Sequence, residues 1–188
     1  MDQALIRAVD RLDIRDVYYR YVRAVDRCDW DLLRTCFHDD ARINHLAYQG
    51  GLDGFIGWLV PRHAAISISN HFIGSCLVEF KDEAVALVET YGIAFLRLTA
   101  EAMALKASLL GGAAGEDDEV ESEELVRYAD RFEKRDGHWR IVNQNLISDA
   151  RRARIAGPQA WSLASYGVGL RSREDELYRV RREIGLPG

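Results

Sequence analysis

Asp26 and His71 are the two side chains whose types and positions together suggest chemistry. A carboxylate can accept a hydrogen bond from one imidazole nitrogen and leave the other free as a base. Asp26 directly follows an apolar stripe formed by Ile14, Val17, Tyr18, Tyr21, Val22 and Val25, spaced i, i+3, i+4, i+7, i+8 and i+11. At about 100° per residue it falls on the shoulder of the buried face, nearest Tyr19 and Val22. An acid at a helix C-terminus opposes the helix dipole, which favours a compensating partner. His71 stands in the run SNHFIGSCLVEF, where strict alternation puts His71, Ile73, Ser75 and Leu77 on one face and Phe72, Cys76, Val78 and Phe80 on the other. If the first of these faces is concave, His71 points at the first helix and the two residues form a dyad.

Other residues are secondary candidates. Tyr18, Tyr19 and Tyr21 have the spacing of core aromatics, and each buried phenol needs a partner or a cavity for its hydroxyl. His45 falls in a strand region from which it can reach a pocket; His38 is read as a loop residue, His63 lies past Pro61, and His138 follows a hairpin turn. Asn44, Trp58, Asn143 and Asn145 can line a cavity by location alone.

Several chemistries lose their usual signatures. The chain has no G-x-G-x-x-G, G-x-x-x-x-G-K-[ST], G-x-S-x-G or H-E-x-x-H run. Cys28, Cys36 and Cys76 show neither CxxC nor Cys/His metal spacing, so they read as reduced apolar fillers, and no metal is expected. With 25 Lys and Arg against 30 Asp and Glu, the net charge of -5 has the wrong sign for holding nucleic acid by counterion release. No apolar run approaches the roughly 20 residues of a membrane span. The acidic start MDQALIRAVDRLDIRD lacks the apolar core of a signal peptide, so a cytoplasmic location is expected.

The elements that must position these residues come in a telling order. The 188 residues, 48% of them hydrophobic, suit one domain with a sizeable core. A helix over 14–25 is capped by Asp13, with 4–12 either continuous with it or separate. Asp29 opens a short helix over 30–36, broken by the run at 37–40. A strand begins over 41–46, and Gly50-Gly51 punctuates. A third helix over 52–63 stops near Pro61. From Ile66 the period becomes two, predicting long antiparallel strands over 66–80, 84–98, 124–135 and 138–148. Asp136-Gly137 is the preferred composition for a type I′ hairpin. The segment GGAAGEDDEVESEE at 111–124 reads as a mobile acidic loop. Residues 150–188 hold Arg151, Arg152 and Arg154, a Gly-rich stretch around Trp161 and Tyr166, and a helix over 173–183. Helices followed by a long meander give an α+β cone, in which N-terminal helices pack inside a strongly curved, mostly antiparallel sheet.

The runs IRDVYYRYVRAVDRCDWDLLRTCFHDDARI (14–43), NHFIGSCLVEF (70–80) and YADRF…DGHWRI (128–141) resemble the SnoaL-like branch of the nuclear-transport-factor-2-like superfamily, over roughly residues 5–150. Within that branch the closest resemblance is to the group containing scytalone dehydratase, bile acid 7α-dehydratase and hexachlorocyclohexane dehydrochlorinase. The resemblance implies a cofactor-independent lyase, a dehydratase acting on a hydrophobic ring-containing molecule, with Asp26 and His71 as the dyad. It also implies Tyr21, five residues before Asp26, as a third catalytic group, whereas the helical wheel alone prefers Tyr19. The family arginine of the third long strand corresponds to Arg131 or Arg135. The second catalytic histidine of scytalone dehydratase has no counterpart in the strand over 84–98. An isomerase on the same site, or a scaffold subunit of the ring-hydroxylating dioxygenase type, is also compatible with this superfamily. A homo-oligomer is expected, a trimer ahead of a dimer, because a sheet face carrying Phe72, Cys76, Val78 and Phe80 needs cover. The tail from Arg151, anchored by Trp161 and Tyr166, is expected to cover the cone mouth or a neighbouring subunit.

Overall fold

The computed structural model of the protein describes residues 2–157 and 169–186; Trp161 and Tyr166 lie outside them. Helix α1 (Gln3–Arg27) is continuous through the two segments that the sequence left open. Asp2, not Asp13, is its cap, accepting from the Ala4 amide; Asp13 lies exposed inside the helix. The chain then turns through Cys28, at φ 53, into α2 (Trp30–Arg34), which Asp29 caps as expected.

Strand β1 (Phe37–His45) takes in the run expected to break the second helix, because Phe37 pairs in parallel with Ile141. His38 is therefore a buried strand residue, 3.0 Å from the Glu133 carbonyl, and not a loop residue. Gly50 and Gly51 belong to β2 (Tyr48–Gly51). Helix α3 (Leu52–Ala64) runs through Pro61 where a stop was expected. The ring removes only the bond to the Gly57 carbonyl, and just three helical residues follow it, so continuing is inexpensive. That final turn delivers Arg62 and His63 to the interior.

Strands β3 (Ile66–Phe80), β4 (Val85–Leu98), β5 (Val120–Arg135) and β6 (His138–Ile155) complete a single open sheet of order β2-β1-β6-β5-β4-β3, antiparallel except for β1 against β6. The architecture is the expected α+β cone: α1 fills the curved sheet with Ile14, Val17, Tyr18, Tyr21, Ala24 and Val25, all buried. Asp136 and Gly137, at φ 52 and 80, make the hairpin turn with both central residues in the left-handed region. Strands β5 and β6 are longer than the sequence suggested because Arg151, Arg152 and Arg154 stand opposite Glu124, Glu123 and Glu121 in register.

One expectation about sidedness fails. The β3–β4 register slips between Ile73 and Cys76, a bulge that reverses the alternation. Cys76, Val78 and Phe80 consequently face inward with His71 and Ile73, while Leu77 is exposed. Phe72 alone of the expected outer set is exposed, and with Ile93 and Leu125 it forms a cross-strand apolar row over β3, β4 and β5, alongside exposed Leu77, Leu87 and Tyr91.

The acidic segment is also more ordered than expected. Helix α4 (Met103–Leu110), unread in the sequence, presents buried Lys106, whose ammonium donates to the carbonyls of Gly115, Glu116 and Asp118 at 2.8–3.0 Å. All three ammonium hydrogens are used, which staples the segment to the helix. Residues 169–186, including α5 (Glu176–Glu183), return to the same chain: Tyr178 donates to Asp29 at 2.8 Å, and Arg173 pairs with Asp29.

Candidate functional site

Asp26 is buried at the last turn of α1 and gathers three hydrogen bonds from β3. Ser69 Oγ donates to Oδ1 at 2.6 Å, the His71 amide to Oδ2 at 2.9 Å, and His71 Nδ1 lies 2.6 Å from Oδ1. A carboxylate can only accept, so Nδ1 carries the hydrogen and Nε2 is left with its lone pair. The compensating partner sought for an acid at a helix C-terminus is therefore the histidine itself. Ser69 was missed, although it lies two residues before His71 on the same side of the strand.

The dyad opens onto a cavity of about 40 Å³ lined by Tyr21, His45, Leu46, Arg62, His63, His71, Ala94, Leu96, Glu124 and Tyr128, among others. A space of this size holds solvent-sized groups. A ring enters only when side chains at the rim move; Leu46, 37% exposed, is the most exposed lining residue, and His45, Arg62, His71, Leu96 and Leu146 are partly exposed. Two lining side chains carry the polar character of the wall away from water. Burial pushes the His45 imidazole down to about 3, and its Nδ1 has no hydrogen-bond partner among the described residues. Burial also raises the Tyr21 phenol well above its ordinary range, so the hydroxyl keeps its hydrogen.

Several expected site residues lie elsewhere. Tyr19 is on the solvent side of α1, where Arg15 donates to its hydroxyl. The structure thus places Tyr21, not Tyr19, in the cavity. Tyr18 is fully buried but spends its hydroxyl on Asp130 at 2.9 Å, inside the core. Asn44 is exposed and accepts from Gln49. Asn145 is exposed too, donating to the Ala129 carbonyl. Both have the strand parity of the outer face. Arg131 is half in water and paired with Glu133, and Arg135 pairs with Asp40 and Glu133, so neither enters the cavity. Trp58 stands behind the lining, stacked on Phe55 and edge-on to His45. Among the described residues no group of three His, Cys, Asp or Glu side chains is placed to hold a metal ion, and no helix is long and apolar enough to cross a membrane.

No motif or spacing points to Arg171. Its guanidinium enters between three elements and donates to the carbonyls of Asp26, Val25, His63 and Ile66, at 2.6–3.3 Å, and to His63 Nδ1 at 2.6 Å.

Asp130 was also missed. It is fully buried beneath Tyr21 and Tyr128, accepting from Tyr18 and the Asn145 amide. Burial pushes its carboxyl up to about 7, although those hydrogen bonds pull it down. A folded state that holds this proton more tightly than the unfolded chain gains stability fully present below about pH 4 and lost as pH rises through about 7. Neutral, partly buried His45 and buried His63 act in the opposite sense, contributing above about 6.5 and losing their contribution as pH falls. Comparing Asp130→Asn with the unsubstituted protein isolates the carboxyl. The variant is expected to gain in relative stability from about pH 5 to pH 8, read as urea midpoints; a difference independent of pH would disprove the shift.

A family model described as a SnoaL-like domain matches residues 7–145. Solved structures with the same fold include a candidate scytalone dehydratase from Novosphingobium aromaticivorans, 17% identical with a TM-score of 0.65 over 85% of this chain and 99% of that one. A type 2 hexachlorocyclohexane dehydrochlorinase is 17% identical, with a TM-score of 0.65 over 83% and 99%. A Mycobacterium tuberculosis protein of unknown function is 22% identical, with a TM-score of 0.60 over 79% and 77%. At these identities the likeness is one of fold. No curated protein sequence matches significantly.

Proposed function

The chain belongs to the SnoaL-like domain family, and from that membership we propose that it is a cofactor-independent lyase, a dehydratase acting on a hydrophobic ring bearing a hydroxyl β to a carbonyl. The observation that carries this reading is the 2.6 Å Asp26–His71 bond at the wall of an interior cavity that Tyr21 also lines. His71 Nε2 takes the proton from the carbon next to the carbonyl, Asp26 stabilises the imidazolium, and Tyr21 donates to the departing hydroxyl. The C–H and C–O bonds break, a C=C bond forms, and the imidazolium returns its proton to the hydroxyl, which leaves as water. The fold neighbours with dehydratase and dehydrochlorinase names support elimination as the reaction type.

The test uses 3-hydroxy-1-tetralone, whose dehydration gives 1-naphthol, together with steroid-like and other ring β-hydroxy ketones, analysed by product mass. Loss of one water in the presence of the protein, abolished in His71→Ala, is the expected result. Conversion without mass change would replace dehydration by isomerisation on the same dyad. Turnover that survives His71→Ala would reject the dyad.

We also propose that copies of the chain associate through the row Phe72, Ile93 and Leu125, with a trimer as the assembly implied by the resemblance. Three exposed apolar side chains in one cross-strand row are a surface that favours burial. Light scattering at micromolar concentration is expected to give an oligomer, and Phe72→Glu a monomer with unchanged circular dichroism. A wild-type monomer would refute this.

A further inference from the structure

His63 has no part in the dyad chemistry, yet its ring lies on the cavity wall and is 6% exposed. It is held by one cation. Arg171 engages all five of its N–H groups: Nε with the Asp26 carbonyl, Nη1 with the carbonyls of His63 and Ile66, and Nη2 with the Val25 carbonyl and His63 Nδ1. A guanidinium with every donor committed cannot turn away, and it has only hydrogens to offer. The His63 Nδ1 must therefore present its lone pair, and a neutral imidazole then carries its hydrogen on Nε2. Protonating Nδ1 would put two cations 2.6 Å apart; burial and Arg171 hold the ring down at about 2. Trp30 packs edge-on against the ring and fixes its plane. Nε2 has no partner among the described residues.

We infer that His63 is a further catalytic residue, whose Nε2–H donates a hydrogen bond to the substrate carbonyl oxygen as charge develops on it, and that Arg171 is the positioning residue that fixes this tautomer. This rests on the elimination reading given above. A neutral N–H donor suits an enolate oxygen: it stabilises the charge without surrendering its hydrogen, so proton traffic stays with His71. The site consequently selects ring substrates activated by a carbonyl over ring halides without one.

The test has two readouts. In ¹⁵N-histidine spectra of the unliganded protein near pH 6, the His63 ring is expected to be neutral with hydrogen on Nε2, and Arg171→Ala to return it to mixed tautomers, reversed by added guanidinium. A His63 ring that is protonated, or that carries its hydrogen on Nδ1, would overturn the inference whatever the activity. In kinetics on the hydroxy ketone that the protein dehydrates, His63→Phe is expected to lower kcat about 10²- to 10³-fold with KM within a few-fold, and His63→Gln, which keeps an N–H donor, to recover part of it. A kcat unchanged in His63→Phe while Asp26→Asn collapses turnover would overturn this inference alone; unchanged turnover in both would overturn the dyad instead, with the spectra still deciding the tautomer.

Discussion

Asp26→Asn is expected to lower kcat about 10³- to 10⁴-fold while the fold persists. The carboxylate accepts from Ser69 Oγ, the His71 amide and His71 Nδ1. An asparagine keeps one acceptor oxygen, which the His71 amide, able only to donate, claims at the Oδ2 position, while the Ser69 hydroxyl at the other position can turn to accept. Its NH₂ is then turned towards Nδ1, which must offer a lone pair, so the imidazole hydrogen moves to Nε2 and the base is lost. The variant also lacks the charge that stabilises the imidazolium. Steady-state kinetics gives the first reading, and the His71 ring ¹⁵N pattern the second. Ser69→Ala, which removes one of three donors and leaves the tautomer intact, is expected to cost only about tenfold. Turnover within tenfold of wild type in Asp26→Asn would remove Asp26 from the chemistry.

Arg171→Met carries the largest expected loss of stability, roughly 3–5 kcal/mol. Methionine fills part of the space but leaves four carbonyls and one imidazole nitrogen at a half-buried junction without their donor. Each acceptor so stranded costs about 1–3 kcal/mol unless water reaches it, and water is expected to reach some. At the usual entropy of unfolding for this length the loss is a fall of about 10 °C in Tm. Differential scanning calorimetry measures it, and a fall of under about 2 °C would show that the residue is not a structural bolt. Tyr178→Phe, which removes only the hydroxyl bonded to Asp29, is expected to lose about 1–2 kcal/mol. The contrast between the two variants separates the guanidinium from the general docking of the returning segment.

Much of this is legible in the amino-acid sequence. The apolar spacing from Ile14 to Val25 is a property of neighbouring residues and fixes which face of α1 is buried; with the period-two runs after Ile66 it yields the cone. Asp26 and His71 were legible for the same reason, one by its place at the end of the stripe and the other by strand parity. Parity failed further along β3, because a single extra residue near Gly74 and Ser75 reverses it and leaves no compositional mark. Asn44, Asn145 and Arg131 were misplaced because strand location was read without knowing which face looks inward. Tyr18 and Tyr21 are three residues apart and equally buried; only the position of Asp130, more than a hundred residues downstream, sends one hydroxyl into the core. Arg171 was beyond reach, since its acceptors come from three elements, and backbone carbonyls are the same in every sequence.

The parallel pairing of β1 with β6 imposes an order of assembly. The hairpins β3–β4 and β5–β6 join neighbouring stretches and can zip early, but Phe37 must wait for Ile141, roughly a hundred residues later, before its strand has an edge to join. Arg171 comes later still. Helix α1, made before every strand of the sheet, therefore carries its apolar stripe uncovered until they follow, and a nascent chain halted before β6 has Asp26 and His71 but no closed wall around them. Such an intermediate is the form a holdase chaperone is expected to bind, and the cavity is completed only late, once the final strand has closed the cone and Arg171 has seated against His63.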